Sequence, residues 1–316
     1  RPDRVETGLL LAATLTFFGF VLTVPLDLPA DLEVIVNSLG FSLIFLLAAA
    51  HLAYRAMRRG AEERAWGWLA VALLLFAVAN LWYSLADALH LPYAELNVSD
   101  ALWLIAFVPM AVGFAQVVRP LTRSEGPVAV LDAALVASGV FTLALVALSI
   151  ALDGLLALGD REVLVFNTLD VLGDDILLAI ALGAAHATHW RPPMWVWTLL
   201  GGALAFALAD AFYVLQVASN QYVEGGLLDI GWPLSALLIS LAAYQRYDVR
   251  HVISPPRRWD SSVQTVLSAF MIPVAATGLL LEADGPIALG ARVSGLLAVS
   301  LAGFRLFVAV QQATTM

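Results

Sequence analysis

The chain has 316 residues, of which 61% are hydrophobic and 13% charged, and its mean hydropathy is +0.87. These values exceed those of a soluble domain of this length and predict an integral membrane protein. The chain contains no cysteine, and its 16 Lys and Arg residues are all arginine. Disulfides, thiolate metal ligands and lysine Schiff bases are therefore excluded.

Apolar segments long enough to cross a bilayer core of about 30 Å follow one another along the whole chain. Ten are predicted, at roughly 8–24, 36–54, 66–88, 100–118, 128–152, 166–189, 194–217, 227–245, 262–281 and 287–311. No cleavage pattern follows the first segment, so we expect it to remain as a helix. The predicted fold class is all-α, a polytopic membrane protein with a single transmembrane domain over residues 1–316.

Arginine is concentrated in alternate connections of this scheme. Of the 16 arginines, 14 fall in one set of connections, and only Arg161 and Arg292 fall in the other. Short loops rich in Lys or Arg remain cytoplasmic, so we predict that both termini face the cytoplasm. The net charge of −9 conceals a segregation, because 17 of the 25 acidic residues lie on or near the outer side. The predicted partner of the inner arginines is the lipid bilayer, not nucleic acid.

Three short patterns recur at shifts of 129 to 133 residues. They are Ala79-Asn80-x-x-Tyr83 with Ala209-Asp210-x-x-Tyr213, Asp100-x-x-Trp103 with Asp229-x-x-Trp232, and Leu39-Gly40 with Leu172-Gly173. Four helices make an even number of crossings, so two such units have the same orientation. We predict a parallel four-helix internal repeat, with repeat A at 8–118, repeat B at 128–245 and a final helix pair at 262–311.

Polar side chains lie inside several predicted spans, although one uncompensated carboxylate at the bilayer centre costs on the order of 3 kcal/mol. At 100° per residue, Asn80, Tyr83 and Asp87 share one face of the third span. Asp170 and Asp174 share a face of the sixth span. The predicted topology places all of them in the outer half of the membrane, where we expect them to face the bundle interior.

These side chains predict an outward-facing pocket between the repeats for a cation or a small polar ligand, because aromatic walls can hold cationic groups. Eleven residues are predicted to bind this ligand: Asn80, Tyr83, Asp87, Asp100, Trp103, Asp170, Asp174, Asp210, Tyr213, Asp229 and Trp232.

A purely structural interpretation competes with this pocket. Asp100 and Asp229 begin helices, where aspartate is a good N-cap, and Trp and Tyr are ordinary residues near a membrane interface. That interpretation does not account for Asp210, which lies about sixteen residues into its span, or for Asp170 and Asp174.

No metal and no cofactor is predicted. Carboxylates together with Asn80 offer oxygen ligands to Ca²⁺ or Mg²⁺, but no loop has the spacing of calcium ligands. His51, His186 and His189 fall at predicted inner helix ends, where a cation complements the helix dipole.

The last predicted helix has two features that suggest a coupling role. Ser294, Ala298 and Ala302 form a small-residue stripe, which favours close contact with a helix of the same chain or of a homodimer partner. No helix breaker follows Arg305, so we expect residues 306–316 to continue as a helix into the cytoplasm.

Five short segments resemble a known family. They are Asn80-Leu81-Trp82-Tyr83, Ser99-Asp100-Ala101-Leu102-Trp103, Leu131-Asp132-Ala133-Ala134-Leu135, Ala209-Asp210-Ala211-Phe212-Tyr213 and Leu228-Asp229-Ile230-Gly231-Trp232-Pro233. The chain resembles the multi-pass amino-terminal membrane region of bacterial, actinobacterial-type GGDEF/EAL diguanylate cyclases and cyclic-di-GMP phosphodiesterases. The resemblance implies a location in the bacterial cytoplasmic membrane and a last helix that leads to an enzymatic domain. Neither catalytic motif occurs within the 316 residues. The run Glu224-Gly225-Gly226 is a coincidence in a predicted outer loop.

Three functions remain open from the sequence. The first is a sensory or anchoring membrane module, in which ligand binding in the outer pocket changes the geometry of the last helix. The second is a transporter of a cation or a small polar solute, which the repeat and the intramembrane carboxylates favour. The third is a structural subunit of a larger membrane complex, in which the acidic residues only pack or cap.

Overall fold

In the computed structural model, the described residues are 2–26, 36–58, 63–89, 97–122, 161–188, 191–219, 221–246 and 286–314, with scattered positions between 131 and 146. Regular structure in these ranges is entirely helical. The helices are α1 Arg4–Thr23, α2 Phe41–Arg58, α3 Ala65–Ala88, α4 Val98–Thr122, α5 Arg161–Ala187, α6 Met194–Ala218, α7 Gly231–Gln245 and α8 Pro286–Thr314. A π-helical turn at Val36–Gly40 leads into α2, and a 3-10 turn at Leu227–Ile230 leads into α7.

Six helical stretches in the described part of the chain are long and apolar enough to cross a membrane. They are Arg4–Thr23, Ser38–Arg58, Ala65–Ala86, Val98–Leu121, Met194–Val217 and Leu227–Gln245. These helices indicate a membrane protein and confirm the all-helical prediction for the described ranges. The predicted span 262–281 and most of 128–152 lie outside the described residues.

Helices α2 to α7 form a ring. Each packs against the next in chain order, and α7 returns to pack against α2, while α1 covers the contact between α2 and α7. Buried side chains from all six ring helices join in one apolar core. Near its centre the rings of Phe76 and Phe206 lie 5.0 Å apart, and Phe107 lies 5.8 Å from Phe206. The ring is thus closed by aromatic packing across its middle.

Glycine allows two of the helix contacts to be close. A Cβ atom at Gly231 would lie 2.7 Å from the Cβ of Ala209, which shows how tightly α7 begins against α6. A Cβ atom at Gly173 would lie 2.5 Å from the ring of Phe107, at the contact between α5 and α4. Such small-residue contacts let membrane helices gain van der Waals energy from close approach.

Replacing Gly231 by alanine is expected to lower the unfolding free energy by about 1–3 kcal/mol, the usual cost of overpacking. The loss outweighs the higher helix propensity of alanine. Titration with SDS in mixed micelles measures it. Gly303→Ala is the matched control, because Gly303 lies in α8 with no neighbouring atom within 4 Å of an added Cβ. Equal stability of the two variants would contradict a tight contact between α6 and α7.

Helix α1 begins after Asp3, whose carboxylate caps it. Asp3 Oδ1 accepts hydrogen bonds from the backbone N–H groups of Glu6 at 2.9 Å and Val5 at 3.0 Å. The hydrogen bond from the Glu6 N–H, followed by one from the Tyr54 hydroxyl, lowers the pKa of Asp3 below its usual value. The capping contribution is therefore present above the unfolded pKa and is lost as the pH falls through the folded pKa.

A buried polar cluster lies at the end of the ring where α3 and α6 begin. Arg55 is only 1% exposed, and its guanidinium bonds Glu6 Oε1 at 2.8 Å, Glu63 Oε2 at 3.0 Å and the Arg246 carbonyl at 2.8 Å. His51 bonds the Ser240 hydroxyl at 2.7 Å. We call Glu6, His51, Arg55, Glu63 and Arg246 the arginine cluster.

The arginine cluster corrects two expectations from the sequence. Arg55 was expected in a connection between spans, but it lies within α2 and is buried because two carboxylates and a carbonyl satisfy it. His51 was expected at a helix end, but it is buried inside α2, where it bonds Ser240 and lies 3.8 Å from Glu6 Oε1. The side chains of His186 and His189 lie outside the described residues.

Helix α8 packs against helical positions between 131 and 146. The hydroxyls of Ser294 and Thr142 lie 2.9 Å apart, and Ser294 also donates to the Ser138 carbonyl at 3.3 Å. Ala298 packs on Leu135 one turn further. The small-residue stripe therefore makes a contact within the chain, and a homodimer through α8 remains a prediction. The helix continues to Thr314, past Arg305, as one unbroken element.

Candidate functional site

The ring of helices encloses a cavity of about 220 Å³. The cavity lies toward the end where α2, α4 and α7 begin, opposite the arginine cluster. All six ring helices contribute to its lining, and Phe20 at the end of α1 closes one side. We call this space the central cavity.

Nine of the eleven residues predicted to bind a ligand line the central cavity: Asn80, Tyr83, Asp100, Trp103, Asp170, Asp210, Tyr213, Asp229 and Trp232. Asp174 is 2% exposed and lies beside Asp210, but it does not reach the lining. The side chain of Asp87 lies outside the described residues. Helical periodicity therefore placed polar side chains from separate segments around one space.

Two helix pairs build the same constellation on opposite sides of the cavity. The indole N–H of Trp103 on α4 donates to Asn80 Oδ1 on α3 at 3.1 Å. The indole N–H of Trp232 on α7 donates to Asp210 Oδ1 on α6 at 2.6 Å. In each pair a tyrosine ring packs on the indole, with centroids 6.0 Å apart for Tyr83 and Trp103 and 5.9 Å apart for Tyr213 and Trp232.

Asp100 and Asp229 hold the chain that enters α4 and α7. Asp100 accepts a hydrogen bond from the backbone N–H of Asn97 at 2.7 Å. Asp229 accepts from the N–H of Gly225 at 2.6 Å and from the Tyr222 hydroxyl at 3.0 Å. Gly225 has φ 78°, a left-handed conformation that favours glycine. Burial, with the nearby charge of Asp229, raises the pKa of Tyr222. Local structure thus explains part of the role of these two carboxylates.

Phenylalanine rings form the deep end of the cavity, which the sequence reasoning missed. Phe76 and Phe206 line it one helical turn before Asn80 and Asp210. They are separated by 130 residues, the same shift as that between Asn80 and Asp210. The sequence contains a longer repeated pattern, Phe-x-x-x-Asn/Asp-x-x-Tyr, that includes these phenylalanines. A phenylalanine gives little signal there, because apolar residues are common in membrane spans.

The cavity is acidic. Five carboxylates line it, those of Asp100, Asp170, Asp210, Glu224 and Asp229, and its described lining includes no arginine or histidine. Asp170 Oδ1 is buried without a hydrogen-bond partner in the described ranges, and the buried oxygens of Asp174 there have only the neighbouring Asp210 carboxyl as a partner. Leaving a buried acceptor unsatisfied costs about 1–3 kcal/mol, and more for a charged group. A bound hydrogen-bond donor would therefore stabilise these carboxyl groups.

The carboxylates do not form a metal site within the described residues. No group of three or more His, Asp or Glu side chains is placed there to hold a metal ion. What the arrangement offers is negative charge, aromatic faces and an apolar deep end. These are features of a site for an organic molecule.

Comparison of the chain with protein-family models, with curated proteins and with solved structures finds no match.

Proposed function

We propose that the chain is the sensory module of a membrane signalling protein. A small polar or cationic ligand binds in the central cavity, and the last helix passes the event to a cytoplasmic cyclic-di-GMP output domain outside these residues. The observation that carries the proposal is the cavity itself, lined by carboxylates of which one, Asp170, has a buried oxygen without a partner. A packing role alone gives no reason to retain such a group, because apolar residues pack without this cost.

A ligand shifts a conformational equilibrium only by its differential affinity for the two states. A difference of about 1.4 kcal/mol shifts the equilibrium tenfold. Satisfying one buried carboxylate is of this order. A bond to Asp170 that forms in only one of the two states is therefore sufficient in energy to bias the bundle.

Helix α5 connects the cavity to the last helix. It carries Asp170 and Asp174, packs between α4 and α6, and contacts α8. Helix α8 also bonds the segment between 131 and 146, through the hydroxyls of Ser294 and Thr142. A shift of α5 would move α8, and the unbroken helix to Thr314 would carry that movement away from the membrane.

The proposal includes ten spans in a 4+4+2 order, with parallel repeats. Its support is the order of helix contacts. In parallel repeats, α2, α3 and α4 correspond to α5, α6 and α7. The contact between α4 and α5 then corresponds to the contact between α7 and α2, and both contacts are present. The two matched Trp hydrogen bonds follow the same correspondence.

A transporter is the second candidate. The observation that favours it is the same ring, since two parallel repeats around a central acidic cavity are a common transporter plan. The sensory function is preferred because the Phe76 and Phe206 rings pack across the middle of the bundle, and the arginine cluster fills the opposite end.

The sensory function is tested by Asp210→Asn in the native gene. Cellular cyclic-di-GMP is expected to change while the amount of protein in the membrane does not, because the variant keeps the shape but removes a cavity charge. Asp175→Asn is the matched control, since Asp175 lies on α5 but does not line the cavity. An unchanged cyclic-di-GMP level, or concentrative solute uptake by the purified chain in liposomes, would overturn the proposal.

The proposed orientation has both termini in the cytoplasm of a bacterial cell. The chain has no cysteine, so single cysteines can be introduced without a background signal. Cysteines at positions 60 and 255 are expected to resist an impermeant thiol reagent in intact cells, and one at position 224 to react. Labelling at 60 or 255 from outside would show that the arginine distribution does not set the topology.

A further inference from the structure

We propose that the ligand of the central cavity is a small organic ammonium ion with an apolar body of about the size of a benzene ring. This inference rests on the proposed function only in taking the cavity as the ligand site.

The charge of the ligand follows from the carboxylates. Asp100 and Asp229 already accept hydrogen bonds from their own loops, and Asp210 accepts one from Trp232. Asp170 lies within electrostatic range of Asp210 and keeps one oxygen without a partner. An ammonium group supplies up to three N–H donors and a compensating charge at this point. A neutral ligand would not stabilise the ionised form of these carboxyl groups, and an anion would be repelled by it.

The organic character of the ligand follows from the walls. The indoles of Trp103 and Trp232 and the phenol rings of Tyr83 and Tyr213 line the cavity near its carboxylates. Aromatic faces attract an ammonium group when it lies within about 6 Å of the ring centre. Mg²⁺ and Ca²⁺ instead require about six to eight oxygen ligands gathered around one point, and the described carboxylates are not grouped in threes for such an ion. The walls therefore favour an ammonium ion over a metal ion.

The apolar body follows from the deep end. The rings of Phe76 and Phe206 close the cavity there, next to Phe107. An apolar group placed against them is removed from water, and no polar group has to lose its hydration there. The ligand is thus amphipathic, with its ammonium group between the carboxylates and its body on the phenylalanine rings.

The size of the ligand follows from the volume. A cavity of about 150 Å³ binds benzene. By the same proportion the 220 Å³ of the central cavity holds about nine non-hydrogen atoms. Benzylamine, with its eight, is a suitable probe, and benzyl alcohol is its neutral isostere.

The test is isothermal titration of the purified chain in lipid nanodiscs with benzylamine, benzyl alcohol and benzoate, after subtraction of titrations into empty nanodiscs. We expect saturable binding of benzylamine, at least tenfold weaker binding of benzyl alcohol and no binding of benzoate. Equal binding of the amine and the alcohol, binding of benzoate, or no saturable binding of benzylamine would overturn the inference. This comparison needs no variant and does not depend on the folding of one.

Two variants locate the amine. Asp170→Asn is expected to remove the tenfold preference for benzylamine, whereas Asp175→Asn, on the same helix, is expected to keep it. Loss of the preference in Asp175→Asn alone would place the amine elsewhere and overturn the assignment. Failure of this inference is distinguishable from failure of the sensory function. If Asp210→Asn changes cyclic-di-GMP but no amine binds, only the ligand class is wrong; if the amine binds but cyclic-di-GMP is unchanged, only the sensory function is wrong.

Discussion

Replacing Arg55 by alanine is expected to lower the unfolding free energy by about 3–5 kcal/mol, the usual cost of breaking a buried ion pair by removing one partner. The variant removes the guanidinium at 2.8 Å from the Glu6 carboxylate, which is 1% exposed, and the donor at 2.8 Å from the Arg246 carbonyl. It also removes the guanidinium from the face of Trp66, at 5.9 Å. The midpoint of an SDS titration in mixed micelles measures the loss.

Arg58→Ala is the matched control, because Arg58 ends α2 on the surface, where it packs over the Tyr54 ring at 5.8 Å and lies near the exposed Asp3 carboxylate. Its expected cost is about 1 kcal/mol or less. The double variant Glu6→Leu with Arg55→Met should cost less than the sum of the single changes, since neither member of the buried Glu6–Arg55 pair is then left without the other. Equal losses for Arg55→Ala and Arg58→Ala would show that the arginine cluster does not stabilise the bundle.

The arginine cluster also marks where sequence reasoning fails. The sequence shows that Arg55 is charged and close to a predicted helix end, and an arginine there is ordinarily a surface residue that orients the span. Its partners come from 49 residues earlier, at Glu6, and 191 residues later, at Arg246. No local pattern predicts contacts at such separations, because they depend on how α1, α2 and α7 pack.

The central cavity was more predictable, because helical periodicity is local and the repeat supplies it twice. Asn80 and Tyr83 on α3, like Asp210 and Tyr213 on α6, had to face the interior to avoid lipid. Their indole partners followed from the second repeated pattern. Helical periodicity does not predict the hydrogen bond from Trp232 to Asp210, or that Asp174 stays outside the cavity lining. Both depend on the rotation of neighbouring helices.

The two halves of the cavity repeat the same tryptophan and tyrosine contacts but differ in charge. Asn80 on α3 stands where α6 has Asp210, and at the repeat shift Phe41 on α2 stands where α5 has Asp174. Both Asn80 and Phe41 line the cavity. The acidic groups within the spans are thus concentrated on α5 and α6, so a cation is expected to bind off the axis of the ring. Off-axis binding is what would move α5 in preference to α2.

The final prediction separates a functional role of the buried carboxylates from a structural one. Asp174→Asn is expected to raise the unfolding free energy by about 1–2 kcal/mol, because a buried carboxyl group that lacks an N–H donor destabilises the fold. Asp174 is 2% exposed, and the partner of its carboxyl is a second carboxyl, that of Asp210, with no N–H donor in the described part of the chain. Asparagine keeps the shape of aspartate, carries no charge and offers an N–H donor to the neighbouring Asp210 carboxylate.

The same variant is expected to weaken the response of cyclic-di-GMP to any ligand of the cavity, since stability gained at a functional site is commonly accompanied by lost function. SDS titration measures the first effect and the cellular assay the second. Asp175→Asn, one residue along α5, serves as the control for both, and we expect smaller changes from it.

A structural subunit would behave differently. If Asp174 only supported packing, its replacement would lower the stability of the bundle, because the carboxylate would then be a satisfied part of the core. A destabilised Asp174→Asn with an unchanged cyclic-di-GMP response would therefore favour the structural function over the sensory one.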